Sequence, residues 1–301
     1  MLTWENNYCL AGFAVKMRSS VGDRTPLLPA AMSLFRCHGG TGADLHVHLE
    51  QDDRADADPL KAFFPPAFRL RRDGEELLFE KSEGKGGSLG KITRGYRRAA
   101  LFLPSLERSW RLPEEEGAVR EALQAFLKGC LQWLLLERGG TLLHAAGVAV
   151  RGRGFVFAGH TRAGKTTMAR NFPDEEVLGD DLVALRREEE GFALYGTPWP
   201  GREKGIVAYG GVPLVAVFNL HPEMPGGLYP QAPAEATAEL MANAPRTGDL
   251  AEESKLLEIL SSLTTSVSIF RLSMRLGEDV MRYLGSLFLP EGFSRRPKAC
   301  R

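Results

Sequence analysis

The sequence has few cysteines, and no two of them stand close together along the chain. Its four cysteines are Cys9, Cys37, Cys130 and Cys300. This spacing fits neither a tetrahedral zinc site nor the disulfide framework of a small secreted domain. The pattern therefore predicts a reducing compartment, and we expect a cytoplasmic protein.

The chain also lacks an excess of charge of either sign. Lysine and arginine total 38, aspartate and glutamate total 38, and the formal net charge is zero. Non-specific binding to nucleic acids or to anionic membrane surfaces depends on an excess of positive charge. The balance therefore predicts neither a nucleic-acid partner nor a membrane-surface partner.

Long apolar runs are absent as well. The most apolar window, residues 122–136, contains Lys128 and two glutamines and is shorter than a membrane-spanning helix needs to be. The first 20 residues mix charged and amide side chains into their apolar positions, which predicts no signal peptide. A chain of 301 residues can form one large domain or two ordinary ones around a substantial core.

Hydrophobic periodicity indicates a strand-rich first part and a mixed second part. In the first part, residues 45–50 alternate apolar side chains with His46 and His48, which predicts a half-buried strand with two solvated histidines rather than a metal site. From Pro113 onward the pattern predicts helices and strands in mixed order. The predicted helices are 113–138, 233–244, 249–262 and 278–288, and the predicted strands are 141–150, 154–159, 176–185, 192–198, 212–220 and 266–274.

Residues 159–167 read GHTRAGKTT and directly follow the apolar run GFVFA. They satisfy the pattern G-x-x-x-x-G-K-[ST], in which two glycines let backbone amides converge on phosphate oxygens. Lys165 would add a positive charge at the outer phosphates, and the Thr166 hydroxyl would bind magnesium. A strand before and a helical pattern after the loop support a nucleotide P-loop (Walker A). The predicted nucleotide-binding residues are Gly159, His160, Thr161, Arg162, Ala163, Gly164, Lys165, Thr166 and Thr167.

Two adjacent acidic residues, Asp180 and Asp181, follow Lys165 by about 15 positions. Successive side chains of a regular strand point to opposite faces, so we do not expect both carboxylates to reach one metal ion. We assign Asp180 to the magnesium and Asp181 to the catalytic base that accepts the proton of an incoming hydroxyl. The opposite assignment stays open if the strand breaks its alternation here.

At these residues the chain resembles the HPr kinase/phosphorylase family, over roughly residues 115–290. His144 stands in the place of the family's histidine, the P-loop matches the family's loop, and Asp180 and Asp181 match its Asp-Asp pair. Thr161 and Arg162 replace the family's usual Ser-Gly, and residues 202–211 match its acceptor loop only faintly. The resemblance implies a fold related to phosphoenolpyruvate carboxykinase and a catalytic role for His144. Two other roles stay open for this histidine: a buried strand residue, or a partner of a catalytic group.

We therefore expect an α/β (α+β) chain with a strand-rich N-terminal module, residues 1–112, which recognises a partner or substrate. Residues 113–301 would form an HPr-kinase-like P-loop domain with a mixed sheet. The expected cofactors are ATP, or another nucleoside triphosphate, and Mg²⁺. The expected activity is that of a kinase, which transfers a phosphoryl group to a hydroxyl of a peptide, protein or small molecule. The alternative is a nucleotide-binding scaffold or regulatory protein that has lost transfer, and either protein is compatible with a homo-oligomer.

Overall fold

The protein forms two mixed β-sheets joined by one long helix. The structure, a computed structural model, describes residues 4–20, 27–37, 42–51, 68–81, 88–93, 97–103, 113–199, 201, 210–246, 249–273 and 288. These residues contain a seven-stranded sheet, a nine-stranded sheet and four α-helices. The protein is therefore of the mixed α/β class, as expected, whereas its assignment to the HPr-kinase type stays a prediction.

The first sheet is built from the N-terminal residues, in the order β1-β2-β3-β7-β6-β5-β4. Its strands are β1 (Trp4–Leu10), β2 (Phe13–Ser19), β3 (Leu45–Gln51), β4 (Phe68–Asp73), β5 (Glu76–Lys81), β6 (Ser88–Thr93) and β7 (Arg98–Leu103). Strand β3 is parallel to both of its neighbours, and the other pairs are antiparallel. The predicted alternation in β3 is confirmed, because its leucine and valine side chains are buried while His46 and His48 are partly exposed.

Helix α1 (Pro113–Glu137) packs between the first sheet and part of the second. The apolar positions that predicted this helix are all buried: Val119, Ala122, Leu123, Phe126, Cys130, Trp133 and Leu134. On one side the ring of Phe126 packs edge to face on Phe79 of β5, with 5.0 Å between the centroids. The same hydrophobic cluster includes Leu142 and Tyr195 of the second sheet. The two sheets therefore share one core through α1.

The second sheet has the order β11-β9-β10-β14-β13-β12-β8 and divides at β14, which also pairs in parallel with β16. Its strands are β8 (Gly140–Leu143), β9 (Ala145–Val150), β10 (Arg153–Ala158), β11 (Val177–Gly179), β12 (Val183–Glu188), β13 (Gly191–Gly196), β14 (Val212–Leu220), β15 (Gly227–Pro230) and β16 (Ser268–Ser273). The remaining helices are α2 (Lys165–Ala169), α3 (Pro233–Asn243) and α4 (Leu250–Ser266).

Strand β10 is apolar on both faces because helices or loops cover both. Its Val156 packs in a cluster with residues of α3 and α4, whereas its Phe157 packs in a cluster with residues of α2. Strand β10 lies between β9, which is antiparallel to it, and β14, which is parallel to it. The end of β10 is thus paired with a neighbouring strand on each side, and the glycine-rich loop begins there.

Two of the predicted strands are wrong, and both errors occur at candidate site residues. Residues 141–150 form two strands, β8 and β9, that are interrupted at His144. Residues 176–185 also form two strands, β11 and β12, that are interrupted at 180–182. The argument from strand alternation therefore does not apply to His144, Asp180 or Asp181.

The other predicted elements of the second part are confirmed where they are described. The β9–β10 hairpin turns through Arg151 and Gly152, whose φ angles of 52° and 74° suit a tight hairpin turn. Strand β14 has the predicted bounds, and α3, α4 and β16 lie within a few residues of theirs. Strand β15 was missed, and all of the predicted helix 278–288 except its last residue lies outside the described residues.

Candidate phosphate-binding site

The glycine-rich loop connects β10 to α2, as the P-loop pattern predicts. Gly159 has a φ of 153°, and a Cβ atom at this position would lie 2.9 Å from the Cβ of Ala163. Gly164 has a φ of 104° and is the N-cap residue of α2. Neither conformation suits a residue with a side chain, so both glycines are needed for the shape of this loop.

Lys165 lies at the first position of α2 and turns its side chain into the loop. Its Nζ atom donates hydrogen bonds to the backbone oxygens of Gly159, at 2.8 Å, and His160, at 3.0 Å. Burial lowers the pKa of Lys165, and the negative charge of Asp181 opposes this shift. The ammonium group is thus held within the loop by two backbone carbonyl oxygens.

Helix α2 begins with backbone amides that face this loop. Its first hydrogen bond runs from the amide of Met168 to the oxygen of Gly164, at 2.9 Å, so the amides of residues 165–167 precede it. Thr166 is half-buried, while the remaining loop residues His160, Thr161, Arg162 and Thr167 are exposed. The helix has only five residues, so its dipole is small and most of an anion's binding energy would come from the loop and Lys165.

The two strand interruptions lie side by side, and this brings His144 to Asp181. The strands that precede and follow the two interruptions pair separately: β8 pairs with β12 on one side, and β9 pairs with β11 on the other. Across the gap the amide of Ala145 donates to the backbone oxygen of Asp181, at 3.1 Å. The Nδ1 atom of His144 lies 2.9 Å from the same oxygen and 3.1 Å from Oδ1 of Asp181. Their side chains are 40% and 44% exposed, so the pair is open to a ligand.

The neighbouring carboxylate of Asp180 points the other way, into the protein. Asp180 is only 4% exposed, and its Oδ1 accepts a hydrogen bond from the amide of Gly201, at 2.8 Å. Its Oδ2 is buried and has no hydrogen-bond partner among the residues that the structure describes. A Cβ atom at Gly201 would lie 3.0 Å from that oxygen, so a side chain at this position would displace the carboxylate by a few tenths of an ångström. A buried carboxylate oxygen without a partner is a suitable ligand for a cation or its water.

Asp181 is the electrostatic centre of the site. The hydrogen bond from His144 lowers the pKa of Asp181, and the positive charges of Lys128 and Lys165 add to this effect against the opposing effect of burial. The carboxylate is therefore ionised at neutral pH. The negative charge of Asp181 acts on two ammonium groups, that of Lys165 in the P-loop and that of Lys128 in α1.

Sequence reasoning missed the site position of Lys128. This lysine lies in the middle of the most apolar window of the chain, and we used it only as evidence against a membrane span. In the structure its Nζ atom lies 5.8 Å from the ring centroid of Trp199, and its charge interacts with that of Asp181. A lone lysine inside a buried helix was the signal that could have identified it.

Two groups of the described part of the chain have the chemistry to bind magnesium together with a nucleotide. Within the described ranges, no three histidine, cysteine or acidic side chains are grouped to hold a metal ion. Magnesium usually takes one or two protein ligands together with phosphate oxygens and water. The half-buried Thr166 and the unpartnered oxygen of Asp180 are the groups that fit this need. The region 202–209, which contains most of the faint acceptor-loop match, lies outside the described residues.

No protein-family model matches the chain, and no curated protein matches its sequence. No helix in the described part of the chain is long and apolar enough to cross a membrane. The functional assignment therefore depends on the residues and their geometry.

Proposed function

We propose that the protein is an ATP- and magnesium-dependent phosphotransferase, of the HPr-kinase-like type, that acts on a hydroxyl of a peptide, protein or small molecule. The observation that carries this proposal is the half-exposed carboxylate of Asp181, whose Oδ1 lies 3.1 Å from Nδ1 of His144 and whose charge acts on Lys165 of the P-loop. A carboxylate next to a phosphate-binding loop is positioned to accept a proton from an attacking hydroxyl.

The P-loop would bind the phosphates of ATP, or of another nucleoside triphosphate. Residues 159–167 supply the backbone amides, and Lys165 supplies the positive charge, which would exchange its two backbone acceptors for phosphate oxygens. Thr166 and Asp180 would hold the magnesium ion, which neutralises charge on the phosphates. Asp180 suits this role better than Asp181, because its free oxygen is buried on the inner side of the strand interruption.

The remaining groups would act on the acceptor. The acceptor hydroxyl would approach the exposed side of Asp181 and transfer its proton to that carboxylate as its oxygen attacks the γ-phosphorus. His144 would orient Asp181 through its Nδ1 atom and keep the carboxylate ionised. Residues 1–112 would recognise the acceptor or a partner, and their core continues into this domain through α1.

Isothermal titration calorimetry with Mg²⁺ and ATP tests the nucleotide part of the proposal. The parent protein should bind ATP, whereas Lys165→Ala should lose measurable binding and keep its melting temperature. Lys91→Ala is a matched control, because Lys91 pairs with Glu76 on the surface of the first sheet. ATP binding by Lys165→Ala as tight as that of the parent would remove the P-loop assignment. Nucleotide binding without phosphoryl transfer to any hydroxyl would favour the scaffold function instead.

A further inference from the structure

Lys128 differs from the other lysines whose contacts are described. Lys16, Lys91 and Lys255 each pair with a glutamate at the protein surface. Lys165 has two backbone acceptors. Lys128, by contrast, has no hydrogen bond and no ion pair with any residue that the structure describes, and its Nζ atom faces the ring of Trp199.

The surroundings of Lys128 leave its ammonium group partly dehydrated. It lies on α1 between buried residues, its own side chain is half-buried, and burial lowers the pKa of its ammonium group. Its contact with Trp199, at 5.8 Å from the ring centroid, is a cation–π contact and supplies no hydrogen-bond acceptor. A half-buried ammonium group without a carboxylate partner is suited to bind an anion.

The position of Lys128 relates it to the acceptor rather than to the nucleotide. Trp199 and Gly201 belong to one segment, and the amide of Gly201 holds Asp180. Helix α1 packs in the core that contains Trp199, whereas Lys165 belongs to α2, which packs in a different cluster. Asp181 is the charge that both lysines sense. The charge of Lys128 thus acts on Asp181, the proposed base, from the side of α1, and the charge of Lys165 acts on it from the P-loop.

We propose that Lys128 binds an anionic group of the phosphoryl acceptor and thereby selects hydroxyl compounds that carry a carboxylate or phosphate near the reacting hydroxyl. This inference rests on the proposed phosphotransferase function. The ionised Asp181 repels an anionic acceptor, and Lys128 compensates for this repulsion at the point where the acceptor enters. In the reaction the acceptor oxygen forms a bond to the γ-phosphorus, the bond from that phosphorus to the β–γ bridging oxygen breaks, and ADP leaves. The hydroxyl proton goes to the carboxylate of Asp181.

The first experiment measures anion binding without any nucleotide. Inorganic phosphate is titrated into the Lys165→Ala variant, in which the P-loop has lost its cation, and the tryptophan fluorescence and heat are recorded. Phosphate should bind to Lys165→Ala and should bind at least tenfold more weakly after a further Lys128→Met change. Lys128→Arg in the same background should stay within threefold, because it keeps the positive charge.

Lys128→Met should fold with a melting temperature equal to or above that of the parent, because methionine has a similar length and no charge to desolvate. Lys91→Met is the matched control and should leave phosphate binding unchanged. Phosphate binding that is equally strong with and without Lys128, or that is absent from Lys165→Ala, would overturn the proposal. This result does not depend on whether the protein transfers phosphate.

The second experiment measures acceptor choice with γ-labelled ATP. Glycerate is compared with glycerol, and a serine peptide with an adjacent aspartate is compared with its asparagine counterpart. The parent should label at least one anionic acceptor tenfold faster than its neutral counterpart, and Lys128→Met should lose this preference while it keeps its affinity for ATP. The more strongly labelled pair shows whether the source of the anion is a small acid or a peptide. Equal labelling within both pairs would contradict the role of Lys128 and leave the phosphotransferase function standing.

Discussion

Replacement of Asp181 by asparagine is the change that separates proton transfer from nucleotide binding. Asparagine keeps the shape of the side chain and the acceptor oxygen near His144, but it removes the charge and the proton-accepting capacity. General-base assistance contributes a factor of about 10² to 10⁴, or roughly 3–5 kcal/mol of activation free energy. We therefore expect the transfer rate of Asp181→Asn to fall by about this factor. Affinity for Mg²⁺ and ATP should change less than about threefold, because Lys165 and Asp180 are intact.

The assay is single-turnover transfer of label from γ-labelled ATP to acceptor, with calorimetry of ATP binding on the same samples. Asp174→Asn is the matched control, since Asp174 is exposed on the 3₁₀ helix Asp174–Glu176 and should leave transfer unchanged. Asp180→Asn should weaken both transfer and metal-dependent ATP binding, because it removes charge at the buried oxygen that has no partner. A transfer rate of Asp181→Asn within threefold of the parent would refute the base assignment. Exchanged phenotypes of the two variants would reverse the assignments.

Three further predictions concern the groups around the site and the core beneath it. His144→Ala should slow transfer about 10-fold or more at unchanged melting temperature, and a parent-like rate would exclude a role in orienting the base. Phe126→Ala should lower the free energy of unfolding by about 3–5 kcal/mol, because the ring is fully buried. Calorimetry should show a single unfolding transition, since the two sheets share this core. Two transitions, of which only one shifts to a lower temperature, would contradict a shared core. Burial opposes the charged form of His221, but hydrogen bonds with Glu239 and Glu223 raise its pKa overall. This histidine should therefore stabilise the fold below about pH 6.5, and that contribution should be lost as the pH rises through the folded pKa of His221. His221→Gln should flatten the dependence of the melting temperature on pH. A pH dependence that the substitution leaves unchanged would refute this role of His221.

Local patterns were enough to predict the loop and the elements that carry it. The two glycines, Lys165 and the flanking strand and helix are close in sequence, and each is required by backbone geometry or charge at its own position. Helix α1 was predictable because its apolar side chains recur at helical spacing over many residues.

The interruptions at His144 and at 180–182 could not be predicted from local patterns. The sequence LLHAAGVAV contains neither proline nor a polar cluster at the break, so its apolar run looks continuous. The strand is interrupted at His144 because β8 and β9 pair with different strands. Pairing between strands that are distant in the sequence cannot be predicted from a short segment alone. The packing of α1 against the second sheet is likewise long-range, and through it the charge of Lys128 acts on Asp181 although the two residues are far apart in the sequence.

The most direct test of the phosphotransferase function is the appearance of label on a hydroxyl. The purified protein is incubated with Mg²⁺ and γ-labelled ATP, together with a peptide pool, a small-molecule hydroxyl panel or a lysate, beside the Lys165→Ala and Asp181→Asn variants. The parent should transfer label to an acid-stable phosphate ester, Lys165→Ala should fail to do so above background, and Asp181→Asn should do so more slowly by a factor of about 10² to 10⁴. ATP binding by the parent with no labelled hydroxyl acceptor, or equal labelling by all three proteins, would contradict the proposed function.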